Sequence, residues 1–236
     1  MRHGQQTISL VIPTYNEERY LPATLSSIRR LRRQPDEIII VDSSSVDATA
    51  RIARRFGARI ISVAERGIGL ARQIGLEAAR GDIVVYTDAD TLVPPLWLTH
   101  FENALSRQYI VAAYGAFCVF DGWLPYRLYA NYINLAVFSV TALLGTAYAT
   151  GQNIAFFRNA GLAAGGFPVD FQSVEDVEMF RRLSLLGKTK YLPDNVVGSS
   201  GRWGNEGAAM IPRKTIGLVR YLIWGRADTF VFPDFR

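Results

Sequence analysis

The first hundred residues alternate between short runs rich in Val and Ile and stretches in which apolar residues recur every three or four positions. The apolar runs are Ile8 to Pro13, Glu37 to Val41, Ala58 to Val63 and Asp82 to Thr87. Helical spacing fills residues 16–31, 46–56 and 69–79 between them. Nearly continuous Val/Ile runs separated by amphipathic helices predict a parallel sheet covered by helices on both faces. This α/β pattern is typical of nucleotide-binding domains.

The same reading extends to residue 187, although with less regular spacing. Pro94-Pro95 can begin a helix that continues to Leu105. Residues 109–120 and 152–158 have the composition of strands, and residues 174–186 that of a helix ended by Gly187. The sequence therefore predicts that the sheet extends beyond its first four strands.

Residues 128–157 form a run of 30 positions without a charged side chain. The run is long enough for a membrane span, but it is interrupted by Asn, Ser, Thr and Gly residues. Trp123, Tyr126 and Arg127 precede it, and such aromatic and basic flanks suit a membrane interface. Three interpretations stay open: a helical element that contacts a membrane, a buried pair of core helices, and a span.

Composition and charge narrow the class of partner. A length of 236 residues with 49% hydrophobic and 20% charged residues describes one globular domain with an extension. The net charge of +5 favours anionic partners, but no Lys/Arg-rich tail or nucleic-acid motif is present, so nucleic acid is not expected.

The N-terminus lacks the apolar core of a signal peptide, and Cys118 is the single cysteine, which excludes an intrachain disulfide. These features predict a cytoplasmic protein. Peripheral contact with the cytoplasmic membrane face stays open.

Candidate chemistry begins at Asp88-Ala89-Asp90, directly after the fourth predicted strand. Carboxylates at that point lie at the carboxyl edge of the sheet, where open α/β sheets bind ligands. Two hard oxygen donors suit Mg²⁺ or Mn²⁺ held jointly with a diphosphate. Alone, the motif is more typical of a polar turn after a strand than of a metal site.

Four further motifs are predicted at the same edge of the sheet. They are Pro13-Thr-Tyr-Asn-Glu-Glu18, Asp42-Ser-Ser-Ser-Val-Asp47, Arg66-Gly-Ile-Gly-Leu-Ala-Arg72, and Gly165-Gly-Phe-Pro168 followed by Glu175-Asp176. Each is weak alone, because a strand-terminal Asp is often a helix cap and a Gly-x-Gly is a weak nucleotide signal. Five motifs in this order at one edge are hard to explain separately.

This set of motifs resembles the family 2 glycosyltransferases of the GT-A fold, closely over residues 7–105 and well over 150–190. The resemblance implies inverting transfer of a sugar from a nucleotide-diphosphate sugar to an acceptor. The residues it implies for binding the nucleotide sugar are Pro13, Thr14, Tyr15, Glu17, Asp42, Arg72 and Asp88. Asp90, with Asp88, would bind Mg²⁺ or Mn²⁺.

The resemblance also implies a catalytic carboxylate pair, Glu175 and Asp176, of which Asp176 would be the base or would position the acceptor. Phe167, Arg202 and Trp203 are the candidates on the acceptor side. The full Gln-x-x-Arg-Trp element of larger members is missing here, which weakens a polymer-synthase interpretation.

The expected organisation is a GT-A domain over residues 1–205, with a mostly parallel sheet and an apolar helical insertion at 121–149. A basic and aromatic helical extension would follow at 206–236. The charge-free run and this extension favour a lipid-linked or polyprenyl acceptor at a membrane surface, while packing as a lid or a dimer face is the alternative. A nucleotidyltransferase is disfavoured because the first strand lacks a Gly-rich phosphate loop; a nucleotide-sugar binder without catalysis also stays open.

Overall fold

The computed structural model describes residues 5–200, except 144, 146, 172 and 173. Its strands are Ile8–Thr14 (β1), Glu37–Asp42 (β2), Arg59–Ser62 (β3), Ile83–Tyr86 (β4), Thr91–Leu92 (β5), Ile110–Val119 (β6), Ile154–Phe157 (β7) and Lys188–Ser199 (β8). Its helices are Leu21–Arg29 (α1), Thr49–Phe56 (α2), Ile68–Ala78 (α3), Trp97–Leu105 (α4), Leu124–Leu143 (α5), Arg158–Ala163 (α6) and Glu175–Ser184 (α7). The predicted extension at 206–236 lies outside the described residues.

The strands form one sheet in the order β3-β2-β1-β4-β7-β6-β8-β5. The first four are parallel, with Val11 of β1 opposite both Ile39 of β2 and Tyr86 of β4. β7 is antiparallel to β4 and β6, β8 is parallel to β6, and β5 is antiparallel to β8. Four of these seven pairings are parallel, so the sheet is mixed, with its parallel half at the start of the chain.

Two apolar clusters cover the two faces of the sheet. One joins the sheet to α1 and α4 through Leu21, Leu25, Trp97 and Phe101. The other joins it to α3, α5 and α7 through side chains such as Leu76, Phe138 and Phe180. β1 and β4 are buried along their whole length because helices cover both of their faces, which explains their uninterrupted apolar sequences.

The predicted α/β architecture is confirmed, and most predicted elements are present with ends that differ by a few residues. α1 begins at Leu21 instead of Asn16, because Asn16 has a left-handed backbone (φ 50°) and the chain turns before Pro22 enters the first helical turn. α2 ends where Gly57 adopts φ 93°, a conformation that favours glycine.

The charge-free run begins within one helix, α5, which extends to Leu143. A pair of core helices was one interpretation of this run. Among its described side chains, Ala130 and Phe138 are buried against the rest of the fold, and ten are exposed. Within the part of the chain that the structure describes, no helix is both long and apolar enough to cross a membrane.

Candidate active site

The carboxyl ends of β1, β2 and β4 lie at one edge of the sheet because these strands are parallel and adjacent. Thr14 and Asp42 end neighbouring strands in direct register. The Thr14 hydroxyl donates a hydrogen bond to Asp42 Oδ1 at 3.0 Å, and the Ser45 hydroxyl donates to the same oxygen at 2.5 Å. We call Thr14, Tyr15, Asn16, Asp42 and Ser45 the nucleoside corner.

Two further contacts shape the nucleoside corner. The Asn16 backbone N–H donates to Ser45 Oγ at 2.8 Å, which ties the loop after β1 to the loop after β2. The Arg66 guanidinium carbon lies 4.0 Å from the centre of the Tyr15 ring, a cation–π distance. The corner therefore presents an aromatic ring and hydrogen-bonding groups, the features that hold a nucleobase and ribose.

Pro13 and Glu17 flank this corner but are buried. Pro13 lies in β1 opposite Val41. Glu17 is 2% exposed, and its backbone N–H donates to Thr49 Oγ1 at 2.7 Å. Both residues support the shape of the loop from within.

Asp88 and Asp90 follow β4 at the same edge. Asp90 is 6% exposed, and its Oδ2 accepts a hydrogen bond from the Ser200 hydroxyl at 2.5 Å. The loop itself is held by the Thr24 hydroxyl, which donates to the Ala89 carbonyl at 2.7 Å. The acidic pair is thus fixed from α1 on one side and from the end of β8 on the other.

Arg72, on α3, lies behind the acidic pair and is 4% exposed. Its Nη2 donates to Asp88 Oδ1 at 3.0 Å, and its Nη1 donates to Glu175 Oε1. Glu175 is itself buried at the start of α7. One guanidinium therefore contacts a carboxylate from the loop after β4 and a carboxylate from α7.

Asp176, next to Glu175, is held by backbone groups. Its Oδ2 accepts a hydrogen bond from the Gly151 N–H at 2.7 Å, and its Oδ1 accepts one from the Val177 N–H at 2.8 Å. Val174, just before the pair, has a left-handed backbone (φ 58°), which is strained for a β-branched residue. The chain turns sharply there, and α7 begins with its two carboxylates at the site.

A buried polar network supports the segment that contains Gly151. The Asn153 side chain, fully buried, accepts a hydrogen bond from Trp97 Nε1 at 2.8 Å. Its amide donates to the Ala116 carbonyl at 2.7 Å and to the Asn195 carbonyl at 2.6 Å. The segment before β7 is therefore fixed to α4, β6 and β8 together.

Burial raises the pKa of two carboxyl groups of the site, Glu175 and Asp88. Burial raises the pKa of Glu175 to about 7, and the neighbouring Asp176 charge adds to this rise while Arg72 opposes it. Desolvation likewise raises the pKa of Asp88; Arg72 opposes this rise, and Asp90 adds to it. Burial lowers the pKa of Arg72, but the charges of Glu175 and Asp88 outweigh it, and the net shift is upward. Glu175, Asp88 and Asp176 thus place three carboxyl groups around the buried guanidinium of Arg72.

The structure brings together all but three of the predicted site residues at this edge. Phe167 is 2% exposed and packs edge-to-face on Tyr86, with ring centres 5.1 Å apart, which gives this ring a packing role. Arg202 and Trp203 lie outside the described residues. Sequence reasoning gave no role to Ser45, Ser200, Gly151 or Arg66, because serines, glycines and single arginines carry little signal without their partners in space.

Comparison with known proteins gives this geometry a family. Residues 9–175 match the family model described as glycosyl transferase family 2. The chain belongs to this family. The family predicted from the sequence motifs is therefore confirmed.

Two relatives with assigned names resemble this chain over part of its length. The chain is 34% identical over 106 residues to the dolichyl-phosphate hexose transferase of Haloferax volcanii, covering 45% of this chain and 46% of that protein. It is 34% identical over 114 residues to the undecaprenyl-phosphate 4-deoxy-4-formamido-L-arabinose transferase of Aeromonas hydrophila, covering 44% of this chain and 35% of that protein. The match spans less than half the length of these relatives.

Solved structures confirm the GT-A-type fold. A mannosyltransferase from Pyrobaculum calidifontis in complex with GDP-Man and Mn²⁺ matches with a TM-score of 0.71 and 25% identity, covering 98% of this chain and 67% of that one. Glucosyl-3-phosphoglycerate synthase from Mycobacterium tuberculosis, in complex with Mn²⁺, UDP and phosphoglyceric acid, matches with a TM-score of 0.67 and 23% identity, covering 95% and 80% of the two chains. The second likeness concerns the fold alone.

The residues at the edge fit a divalent metal that shares its shell with a ligand. Among the described residues, no group of three or more His, Cys, Asp and Glu side chains is arranged to hold a metal ion. Asp88 and Asp90 offer two carboxylates, a hard-oxygen set that suits Mg²⁺ or Mn²⁺. Such ions often take one or two carboxylates together with substrate phosphates.

Proposed function

We propose that this protein is an inverting glycosyltransferase that moves a sugar from a nucleotide-diphosphate sugar to an acceptor. One observation carries the proposal: Asp88 and Asp90, the nucleoside corner and Asp176 stand together at the carboxyl edge of one sheet. Membership of glycosyl transferase family 2 and the GT-A-type fold support it.

The donor's nucleoside binds at the nucleoside corner. The Tyr15 ring stacks on the base, with Arg66 on the ring at 4.0 Å. Asp42 accepts a hydrogen bond at the ribose end, where the Thr14 hydroxyl already donates to its carboxylate. The diphosphate then lies over the loop after β4, toward Asp88 and Asp90.

Asp90, with Asp88, holds a divalent metal. When bound, this ion neutralises the negative charge that grows on the diphosphate as the sugar leaves. The Ser200 hydroxyl, 2.5 Å from Asp90 Oδ2, orients the carboxylate that serves this purpose.

Asp176 takes the proton of the acceptor. The acceptor hydroxyl oxygen forms a bond to the anomeric carbon from the face opposite the diphosphate. The bond from that carbon to the diphosphate oxygen breaks, and the hydroxyl proton moves to Asp176. If the acceptor is a lipid phosphate, it is already ionised, and Asp176 positions it.

The acceptor is lipid-linked, and α5 brings the protein to the membrane that holds it. Ten described side chains of α5 are exposed, and none of them is charged. They are Leu124, Pro125, Leu128, Tyr132, Ile133, Leu135, Ala136, Ser139, Val140 and Leu143. Phe138 anchors the helix to the sheet on its other side, so α5 presents an apolar face of the kind that enters a membrane interface. The names of the two relatives, a dolichyl-phosphate and an undecaprenyl-phosphate transferase, support this acceptor class.

A donor screen tests the proposal. The full chain is heated with UDP-, GDP- and TDP-sugars, each with and without Mn²⁺, and the midpoint of unfolding is measured. We expect a metal-dependent rise for one nucleotide class, lost in Asp90→Ala and kept in Asp194→Ala, which changes an exposed carboxylate elsewhere. The absence of a metal-dependent rise with every donor, in the presence and absence of lipid vesicles, would contradict the proposal.

A further inference from the structure

Among the described residues of the site, Arg72 contacts both Asp88, which is proposed to bind the donor and the metal, and Glu175, which precedes the proposed base Asp176. It lies on α3, is 4% exposed, and directs its two Nη atoms in different directions. We propose that Arg72 is a positioning residue that links Asp88 to α7 through Glu175 and thereby fixes the place of the Asp176 carboxylate. The proposal rests on the proposed function, because it assigns Asp88 to the metal and Asp176 to the acceptor.

The contacts of Arg72 leave its guanidinium little freedom. One arm reaches Asp88 at 3.0 Å and the other reaches Glu175. The Nε atom lies buried without a hydrogen-bond partner among the described residues. The backbone under this side chain is also held, since the Tyr86 hydroxyl donates to the Arg72 carbonyl at 2.9 Å. The two carboxylates are therefore the polar partners that keep the guanidinium in place.

The charge of Arg72 couples the contributions of Asp88 and Glu175 to the stability of the fold. A guanidinium stays protonated in proteins, so its charge cannot be removed by burial. A buried cation that keeps one carboxylate partner is still compensated, whereas one that loses both is an unpaired buried charge. Asp88 and Glu175 should therefore depend on each other through Arg72, although they come from different elements of the fold.

Gly151 connects Arg72 to the base by a second route. Its N–H donates to Asp176 Oδ2 at 2.7 Å, while a Cβ at this position would clash with the Arg72 guanidinium. The backbone of Gly151 has no positive φ, and the three atoms nearest to such a Cβ all belong to Arg72, so a larger residue would have to displace the guanidinium. The guanidinium thus packs directly on the peptide that holds Asp176.

The first test is a thermal double-mutant cycle that needs no substrate. Asp88→Asn, Glu175→Gln and their combination are compared with the wild type, and the same set is made in an Arg72→Met background. We expect the combined variant to lose more than the sum of the two single losses in unfolding midpoint, because Arg72 then has neither of its two hydrogen-bonded carboxylates. In the Arg72→Met background the losses should add. Additive losses in both backgrounds would overturn the proposal.

The second test separates positioning from general destabilisation. Gly151→Ala should lower kcat by about a hundredfold, since a displacement on the order of 1 Å at a reacting group can cost this much. The matched control is Gly81→Ala, whose Cβ would lie 2.7 Å from the Ser9 backbone nitrogen at the opposite edge of the sheet. We expect the control to lower the unfolding midpoint and leave kcat near the wild-type value. Equal losses of kcat in both variants would overturn the positioning role.

A double variant with Arg72 tests whether Gly151→Ala lowers kcat through its clash with the Arg72 guanidinium. In an Arg72→Ala background the clash with position 151 is removed, so adding Gly151→Ala should cause no further loss of kcat. The same fold-loss in both backgrounds would overturn the proposal. If the wild type transfers no sugar from any donor, the proposed function fails, and the thermal cycle still decides whether Arg72 couples Asp88 to Glu175.

Discussion

The Asp42 carboxylate accepts hydrogen bonds from the Thr14 hydroxyl at 3.0 Å and from the Ser45 hydroxyl at 2.5 Å and backbone N–H at 3.2 Å. These bonds fix two loops of the nucleoside corner. A hydrogen bond to a charged group contributes about 1.5–3 kcal/mol, so losing the bond that Asp42 is proposed to make to the ribose should change the affinity for the donor by roughly ten- to hundredfold.

We therefore expect Asp42→Ala to raise the KM for the donor at least about tenfold, with a smaller effect on kcat. Steady-state kinetics at varied donor concentration measures this. Ser44→Ala is the control, because that hydroxyl donates to the Val63 carbonyl, outside the nucleoside corner. A lower kcat with an unchanged donor KM would place Asp42 outside donor binding.

Asp176, the proposed base, carries a prediction about turnover. Asp176→Asn keeps the shape of the side chain but cannot take a proton, so kcat should fall by about a hundredfold to ten-thousandfold for a hydroxyl acceptor. Circular dichroism and the unfolding midpoint check that the variant is folded, and Asp194→Asn is the exposed control. Near-normal turnover by the folded variant would rule out the role as base.

At the scale of elements, α5 carries the prediction of membrane contact. Leu128 and Val140 are 50% and 52% exposed on the uncharged face of the helix. Leu128→Glu/Val140→Glu should abolish flotation with vesicles of anionic lipid at low salt, because a carboxylate is expensive to place in the apolar interface. The fold should survive, since neither side chain belongs to the core. The control is Val169→Glu, a 45% exposed position in the loop before α7. Absence of wild-type flotation would contradict membrane contact.

Asp82, at the opposite edge of the sheet, should make the free energy of unfolding depend on pH. The Asp82 carboxylate accepts hydrogen bonds from the Thr7 N–H at 2.9 Å and hydroxyl at 2.8 Å, which lower the pKa of Asp82 below its ordinary 3.8. A depressed folded-state pKa stabilises the fold above the ordinary value, and this stabilisation is lost as the pH falls through the folded-state pKa.

Asp82→Asn should accordingly lower the free energy of unfolding at neutral pH by less than about 1 kcal/mol, because Asp82 is exposed to solvent. The difference from wild type should narrow below pH 3.8. Urea unfolding at both pH values measures it, with the exposed Asp121→Asn as control. An equal difference at both pH values would exclude the ionised carboxylate as its cause.

Elements with a regular apolar period could be predicted from the sequence, whereas elements stabilised mainly by their neighbours could not. β1 and β4 have uninterrupted apolar sequences because they are buried on both faces. β8 escaped prediction because Lys188, Lys190, Pro193 and Asp194 break its pattern. It forms nevertheless, since β6 pairs with it over most of its length.

At the scale of the whole molecule, the topology brings site residues that are far apart in the sequence together at the carboxyl edge of the sheet. The acidic pair and the nucleoside corner could be predicted, because each directly follows an apolar strand. Ser200 could not, because its contact with Asp90 depends on β8, which returns the chain to this edge 110 residues later. The position of Arg72 between Asp88 and Glu175 likewise depends on where the fold places the first residue of α7, which sequence spacing does not reveal.

The metal site proposed at Asp88 and Asp90 predicts that metal and nucleotide bind cooperatively. The two carboxylates would leave an ion that needs about six oxygen ligands to find the others elsewhere, and a diphosphate supplies oxygens of this kind. We expect Mn²⁺ alone and the nucleotide diphosphate alone each to raise the unfolding midpoint slightly, and the two together to raise it by more than the sum. A ligand at a hundred times its Kd stabilises by about 2.7 kcal/mol, which a thermal scan resolves easily.

Asp90→Asn should reduce the shift caused by Mn²⁺ and nucleotide together to the shift caused by the nucleotide alone, and EDTA should do the same to the wild type. Strictly additive shifts in the wild type would mean that the ion binds apart from the diphosphate, and would remove Asp88 and Asp90 from the proposed chemistry.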